Sequence, residues 1–138
     1  MTRISAILLV MIICVGCSPE TSDNHVAEET VAVAQRRGVD YVATLAKAKA
    51  GDVEAVRTLL DLSDHVDAAA SLGHGVALVD LSVALTDQRF ASLVRDASYA
   101  RRQRLAELFE AGFAYHPQYR DAYPLKVLPA TYAALSAR

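Results

Sequence analysis

Beyond residue 17 the chain contains no cysteine; its two stand at positions 14 and 17. Residues 18–138 therefore have no disulfide to staple them, and no thiol to act as a nucleophile. Period-two runs of β-branched residues are missing as well, which argues against strands. Excess positive charge is lacking, since 14 Lys+Arg face 16 Asp+Glu for a formal net charge of −2. Phosphate binding needs a basic surface, so nucleic acid is a poor partner. A Gly-x-Ser-x-Gly turn is absent too, removing the usual setting for an activated serine.

What is present begins with an unusual amino terminus. Met1-Thr2-Arg3 is short and positive, Ile4 to Val15 is an apolar run with Ser5 as its one polar residue, and Val15-Gly16-Cys17 supplies small residues before a cysteine. The run is too short to span a bilayer comfortably. It also inflates the mean hydropathy of +0.20 and the 53% hydrophobic content. The segment resembles the bacterial lipobox, with Cys14 where that family usually carries Leu. The resemblance implies that residues 1–16 are a signal peptide and that Cys17 becomes the lipidated first residue. Ser18 after the cysteine implies an outer-membrane lipid anchor with the domain facing the periplasm. Several acyl chains, each contributing about 0.8 kcal/mol per buried methylene, make such an anchor effectively permanent. Removing residues 1–16, whose one charged residue is Arg3, leaves a formal net charge of −3.

Residues 17–25 then read as the lipidated cysteine and a flexible tether, because Ser-Pro-Glu-Thr-Ser-Asp-Asn-His has nothing to bury. A single helical domain is expected over 26–138, a length sufficient for one hydrophobic core. Apolar residues recur there at three and four, through Val31, Ala34, Val42, Leu45, Val53, Val56, Leu59 and Leu60. Punctuation predicts helices near 26–37, 39–50 and 53–62, the last capped by Asp52. Gly73 and Gly75 predict a helix start near 76–84, Thr86 or Asp87 a cap for the next, and Gly112 the end of a helix over 98–111. Pro129 opens a final short helix that docks through Tyr132 and Leu135.

An offset of 34 residues lays Gly51–Leu60 over Leu85–Val94, so that Val56 meets Phe90, Leu59 meets Leu93 and Asp52 meets Thr86. A period in the thirties with two helices per unit marks stacked helical hairpins. Gly51-Asp-Val-Glu-Ala-Val-Arg-Thr-Leu-Leu60, followed by Val66-Asp67, resembles the second half of an ankyrin repeat. Arg104-Leu-Ala-Glu-Leu-Phe-Glu-Ala-Gly112 is similar to the end of another. The Thr-Pro-Leu-His start of that family's first helix is missing, so the likeness covers roughly residues 39–112 as degenerate repeats. The expected fold class is all-α, either stacked antiparallel hairpins of short helices or a small orthogonal helical bundle.

Candidate chemistry is sparse. Asp64, His65, Asp67 and His74 form the densest group of potential metal ligands, but their spacing matches no zinc motif. Both carboxylates suit a helix N-terminus, and both histidines are expected to be exposed. Glu28, Glu29, Glu107 and Glu110 read as solvated. No catalytic residue, metal ligand or cofactor is implied. Arg95, Arg101, Arg102 and Arg104 gather positive charge that reads as a solvated helix face, with headgroups or an acidic partner as the alternative. Tyr115, Tyr119, Arg120 and Tyr123, beside Phe113 and His116, crowd the stretch after Gly112. Tyr and Arg are favoured at interface hot spots, although the tyrosines could equally pin a long loop to the helices. The functional expectation is a membrane-anchored periplasmic module that binds a protein partner at this loop, of inhibitor, immunity or envelope-assembly type. A structural spacer without a ligand and an unrecognised hydrolase are the alternatives.

Overall fold

A computed structural model describes residues 27–137. The expected signal peptide over 1–16, Cys17 and the expected tether to residue 25 all lie outside the described residues. Eight helices follow one another: α1 (Glu28–Arg36), α2 (Tyr41–Lys49), α3 (Val53–Leu62), α4 (Ala68–Leu85), α5 (Asp87–Arg95), α6 (Tyr99–Tyr115), α7 (Pro124–Val127) and α8 (Pro129–Ser136). No strand occurs among the described residues, and the all-α class read from the sequence holds.

Short polar side chains start the helices by accepting backbone N–H groups that have no partner within the helix. Asp40 Oδ1 accepts from Ala43 N at 3.1 Å, and Asp52 Oδ1 from Glu54 and Ala55 N at 3.0 and 3.1 Å. Asp67 Oδ1 accepts from Ala70 N at 3.1 Å, and Ser98 Oγ from Arg101 N at 3.3 Å. Gly51, between α2 and α3, has φ +97°, a conformation L side chains rarely adopt.

Side-chain contacts fix how the helices run. Tyr41 meets His74 and Lys49 meets Asp80, so α2 is parallel to α4. Arg104 meets Ser71 and His116 meets Asp80, so α6 is parallel to α4 as well. Between them the chain returns, through α3 and then α5. The carboxylate of Asp87 at the start of α5 touches the start of α8, and Arg102 near the start of α6 reaches Ala137 after α8. Three antiparallel pairs, α2/α3, α4/α5 and α6/α8, therefore lie side by side with their first helices parallel. The 34-residue offset coincides with this plan, since Asp52 and Thr86 both stand at N-cap positions, of α3 and α5.

α4 is the spine. Packed by α1, α2, α5 and α6, it is apolar nearly all round and long enough to cross a membrane, yet it lies at the centre of the fold. Its boundary corrects the sequence reading: α4 starts at Ala68 and runs through both Gly73 and Gly75. Gly112 likewise sits inside α6, which continues to Tyr115. These glycines permit close approach. A Cβ on Gly75 would stand 2.3 Å from the Leu108 carbonyl oxygen, and one on Gly112 would stand 2.4 Å from the Gly75 oxygen. At Gly73 the space is filled by the start of α1, where the Cβ of the N-cap residue Ala27 and Thr30 Oγ1 would lie 2.6 and 2.8 Å from an added Cβ.

The α4–α5 turn departs from expectation too. Thr86 does not cap α5 with its side chain and is held at φ +73°, a strained conformation for a β-branched residue. Asp87 caps α8 instead, accepting from Ala130 N at 2.7 Å and Thr131 N at 2.8 Å. Leu135 is buried and Tyr132 half-buried, as expected for the docked final helix.

Candidate partner-binding site

The loop after α6 is built outward from the core. Phe90 and Phe109 pack with centroids 5.6 Å apart, Phe109 and Phe113 each meet Tyr132 at 6.4 Å, and Phe113 meets Tyr119 at 6.2 Å. Tyr119 then lies 4.6 Å from the His116 ring. The column carries core rigidity into residues 116–123. Burial pushes the Tyr132 phenol up to about 12, with Glu110 adding to the shift.

His116 is the hinge pin. Its Nε2 lies 2.9 Å from Asp80 Oδ1, and its Nδ1 accepts from Gln118 N at 3.0 Å. With Nδ1 accepting, the ring proton sits on Nε2 and is donated to Asp80. The other Asp80 oxygen faces Lys49 Nζ at 3.8 Å. The loop is thus tied to α4 and, through the same carboxylate, to α2. Asp80 carries no mark in the sequence, because a lone carboxylate in an apolar helix does not reveal its partner.

Against this anchor the four candidate residues divide. Tyr119 is half-buried and serves the loop, as the packing alternative expected. Tyr115 and Tyr123 are 65% and 61% exposed, while Arg120 is exposed and paired only with its neighbour Asp121, at 3.7 Å. Leu125, not singled out from the sequence, is 47% exposed on the single turn of α7. Pro124 stands at the first position of that turn, which has no side-chain cap and where proline's missing N–H costs nothing.

The remaining candidates are dispersed. Asp67 caps α4, and Asp64 Oδ2 accepts from Arg101 Nη2 at 2.7 Å. His65 is exposed and accepts from Arg37 at 2.7 Å. Among the described residues no three His, Cys, Asp or Glu side chains are placed to hold a metal ion.

His74 corrects the expectation of exposure, for it is fully buried. Ser63 Oγ donates to the Leu59 carbonyl at 3.2 Å and lies 3.0 Å from His74 Nε2, so Nε2 carries the proton and donates to it. Tyr41 then donates its hydroxyl to Nδ1 at 2.8 Å. Each polar atom of this chain is satisfied with the imidazole neutral. Burial lowers the His74 pKa to about 4, the Leu59 carbonyl opposes that shift, and repulsion from Arg104 reinforces it. Burial also raises the Tyr41 phenol well above its ordinary value. A serine beside a histidine invites a catalytic reading, but both are sealed from solvent and the hydroxyl is committed to a carbonyl.

The arginines correct a second expectation. Arg101, Arg102 and Arg104 are half-buried ties rather than a solvated face. Arg101 grips Asp61 and Asp64 at the end of α3. Arg102 holds the Ala97 and Ala137 carbonyls. Arg104 donates to the Val66 carbonyl and Ser71 Oγ, both at 2.9 Å, and to the Ser63 carbonyl at 3.4 Å. Arg95 alone of the four is exposed. No protein-family model, curated protein or solved structure matches this chain, and its function is read from its own residues.

Proposed function

We propose that the protein is a lipid-anchored module that binds a protein partner on the face carrying Tyr115, Arg120, Tyr123 and Leu125. The observation that carries this reading is three large exposed side chains within eleven residues, Tyr115 at the end of α6, Tyr123 in the loop and Leu125 on α7, flanking a loop tied down by His116 and Tyr119. A rigid loop loses little entropy on binding, and Tyr with Arg provides apolar area and directed hydrogen bonds together. The lipobox-like leader supports the second half of the proposal, an acylated Cys17 that holds the domain at the periplasmic face of the outer membrane.

The test introduces a photoreactive residue at Tyr123, and separately at Tyr115, in the full chain expressed in a Gram-negative envelope. One dominant protein adduct at these positions, with none from a probe at the exposed Leu72, supports the reading. Silence at both tyrosines, or the same adducts from Leu72, overturns it. Cys17→Ser tests the anchor: the wild-type chain is expected in the membrane fraction and the variant outside it. An equal distribution of the two would remove the lipid from the proposal.

A further inference from the structure

The α1–α2 turn and the C-terminal half of α3 enclose an open pocket of about 160 Å³, lined by Arg37, Val39, Thr58, Asp61, Leu62 and His65. Leu62 is buried and Val39 half-buried, giving the pocket an apolar floor. Its rim is polar and contains both signs of charge. Arg37 donates to His65 Nδ1, which leaves the ring neutral with its proton on Nε2. Arg37 makes no carboxylate pair among the described residues. His65 Nε2–H has no acceptor among them either. Asp61 gives Oδ1 to Arg101 and keeps Oδ2.

A guanidinium and a ring N–H at the mouth suit a carboxylate, which accepts two parallel hydrogen bonds from Arg. The floor suits a few methylenes, and the spare Asp61 oxygen suits an ammonium. We propose that this pocket binds the α-carboxylate of an amino acid with a short aliphatic side chain, either free or as the last residue of a peptide. Binding here is independent of the tyrosine face, so each proposal fails or stands alone.

Calorimetric titration of the full chain in detergent micelles with leucine, N-acetyl-leucine and leucinamide tests the assignment. Saturable binding of leucine or N-acetyl-leucine is expected, with none for leucinamide, which lacks the carboxylate. Arg37→Met should weaken binding by about tenfold or more, the size of a lost charge-assisted hydrogen bond, while Arg36→Met leaves it unchanged. Both variants are checked for wild-type helicity. Equal affinity for leucine and its N-acetyl derivative assigns a peptide C-terminus. A preference for leucine that Asp61→Asn removes assigns the free amino acid. Absence of saturable binding by the folded protein, equal binding of leucinamide, or wild-type affinity in Arg37→Met overturns the proposal.

Discussion

Where α3 stops and α6 starts, Arg101 and Arg104 bind carboxylates, carbonyls and a hydroxyl from α3, α4 and the turn between them, and Arg102 closes the end of α8. At the opposite end of the stack, ordering depends on two aspartates, Asp80 with His116 and Asp87 at the start of α8, while Tyr115, Tyr123 and Leu125 stay outside. The first end turns its polar groups inward and keeps few for a ligand beyond the Arg37 pocket. The second uses a minimum of polar ties to hold an aromatic loop in place. The proposed binding role rests on the second end, where the aromatic loop is held and its large side chains are left exposed.

The largest expected effect is on what both ends share. Gly75→Ala puts a methyl group 2.3 Å from the Leu108 carbonyl oxygen, a backbone atom that cannot rotate away. The helices must separate, and overpacking of this kind costs about 3 kcal/mol. Urea unfolding monitored by circular dichroism should show a clear drop in midpoint. A variant as stable as wild type would mean that α4 and α6 do not cross at these glycines.

Acid separates the ends more sharply. His74 belongs to the arginine end, and its folded pKa of about 4 lies below the ordinary value of 6.5. The unfolded chain therefore takes up a proton first. The stability due to neutral His74 is complete above pH 6.5 and is lost progressively as pH falls towards 4, by about 2 kcal/mol between pH 7 and 5. Unfolding at the two pH values measures it, and His74→Gln should flatten that part of the slope. An unchanged slope in the variant would assign the acid sensitivity to other groups.

These two residues also show how much was legible in the sequence. Apolar spacing and capping residues mark the helical character and Asp52 as a cap, because those signals are local. Gly73, Gly75 and Gly112 look like helix boundaries in the sequence because a glycine that permits close approach is the same, in one dimension, as a glycine that borders a helix. The burial of His74 is not legible in the sequence because its partners Tyr41 and Ser63 are not its neighbours along the chain. The exposed tyrosines of the loop were legible as a cluster, while their division into anchor and presented face depends on Asp80, which no local pattern identifies.

The ties themselves give graded effects. Arg104→Met keeps the aliphatic stem but leaves the Val66 carbonyl and Ser71 without their donor, at a cost of about 2 kcal/mol in chemical denaturation. At the other end Asp87→Ala removes the cap of α8, which costs about 1 kcal/mol, the usual value for a lost N-cap. Amide hydrogen exchange should then rise in α8 while α3 and the start of α4 keep their protection. If Asp87→Ala loosened the arginine end equally, the two ends would be one cooperative unit and the contrast between them would lose its energetic meaning.

The smallest expected change in stability is the most informative about function. Tyr123 is 61% exposed and belongs to no buried aromatic pair among the described residues, so Tyr123→Ser should shift stability by less than about 0.5 kcal/mol. Tyr119→Ser, by contrast, removes a ring packed against Phe113 and His116 and should be clearly destabilising. If Tyr123 supports binding, its replacement should abolish the adduct formed by a photoreactive residue at Tyr115 while leaving the melting temperature in place. Loss of the adduct together with a large fall in melting temperature would mean that Tyr123 holds the loop. The presented face would then shrink to Tyr115, Arg120 and Leu125.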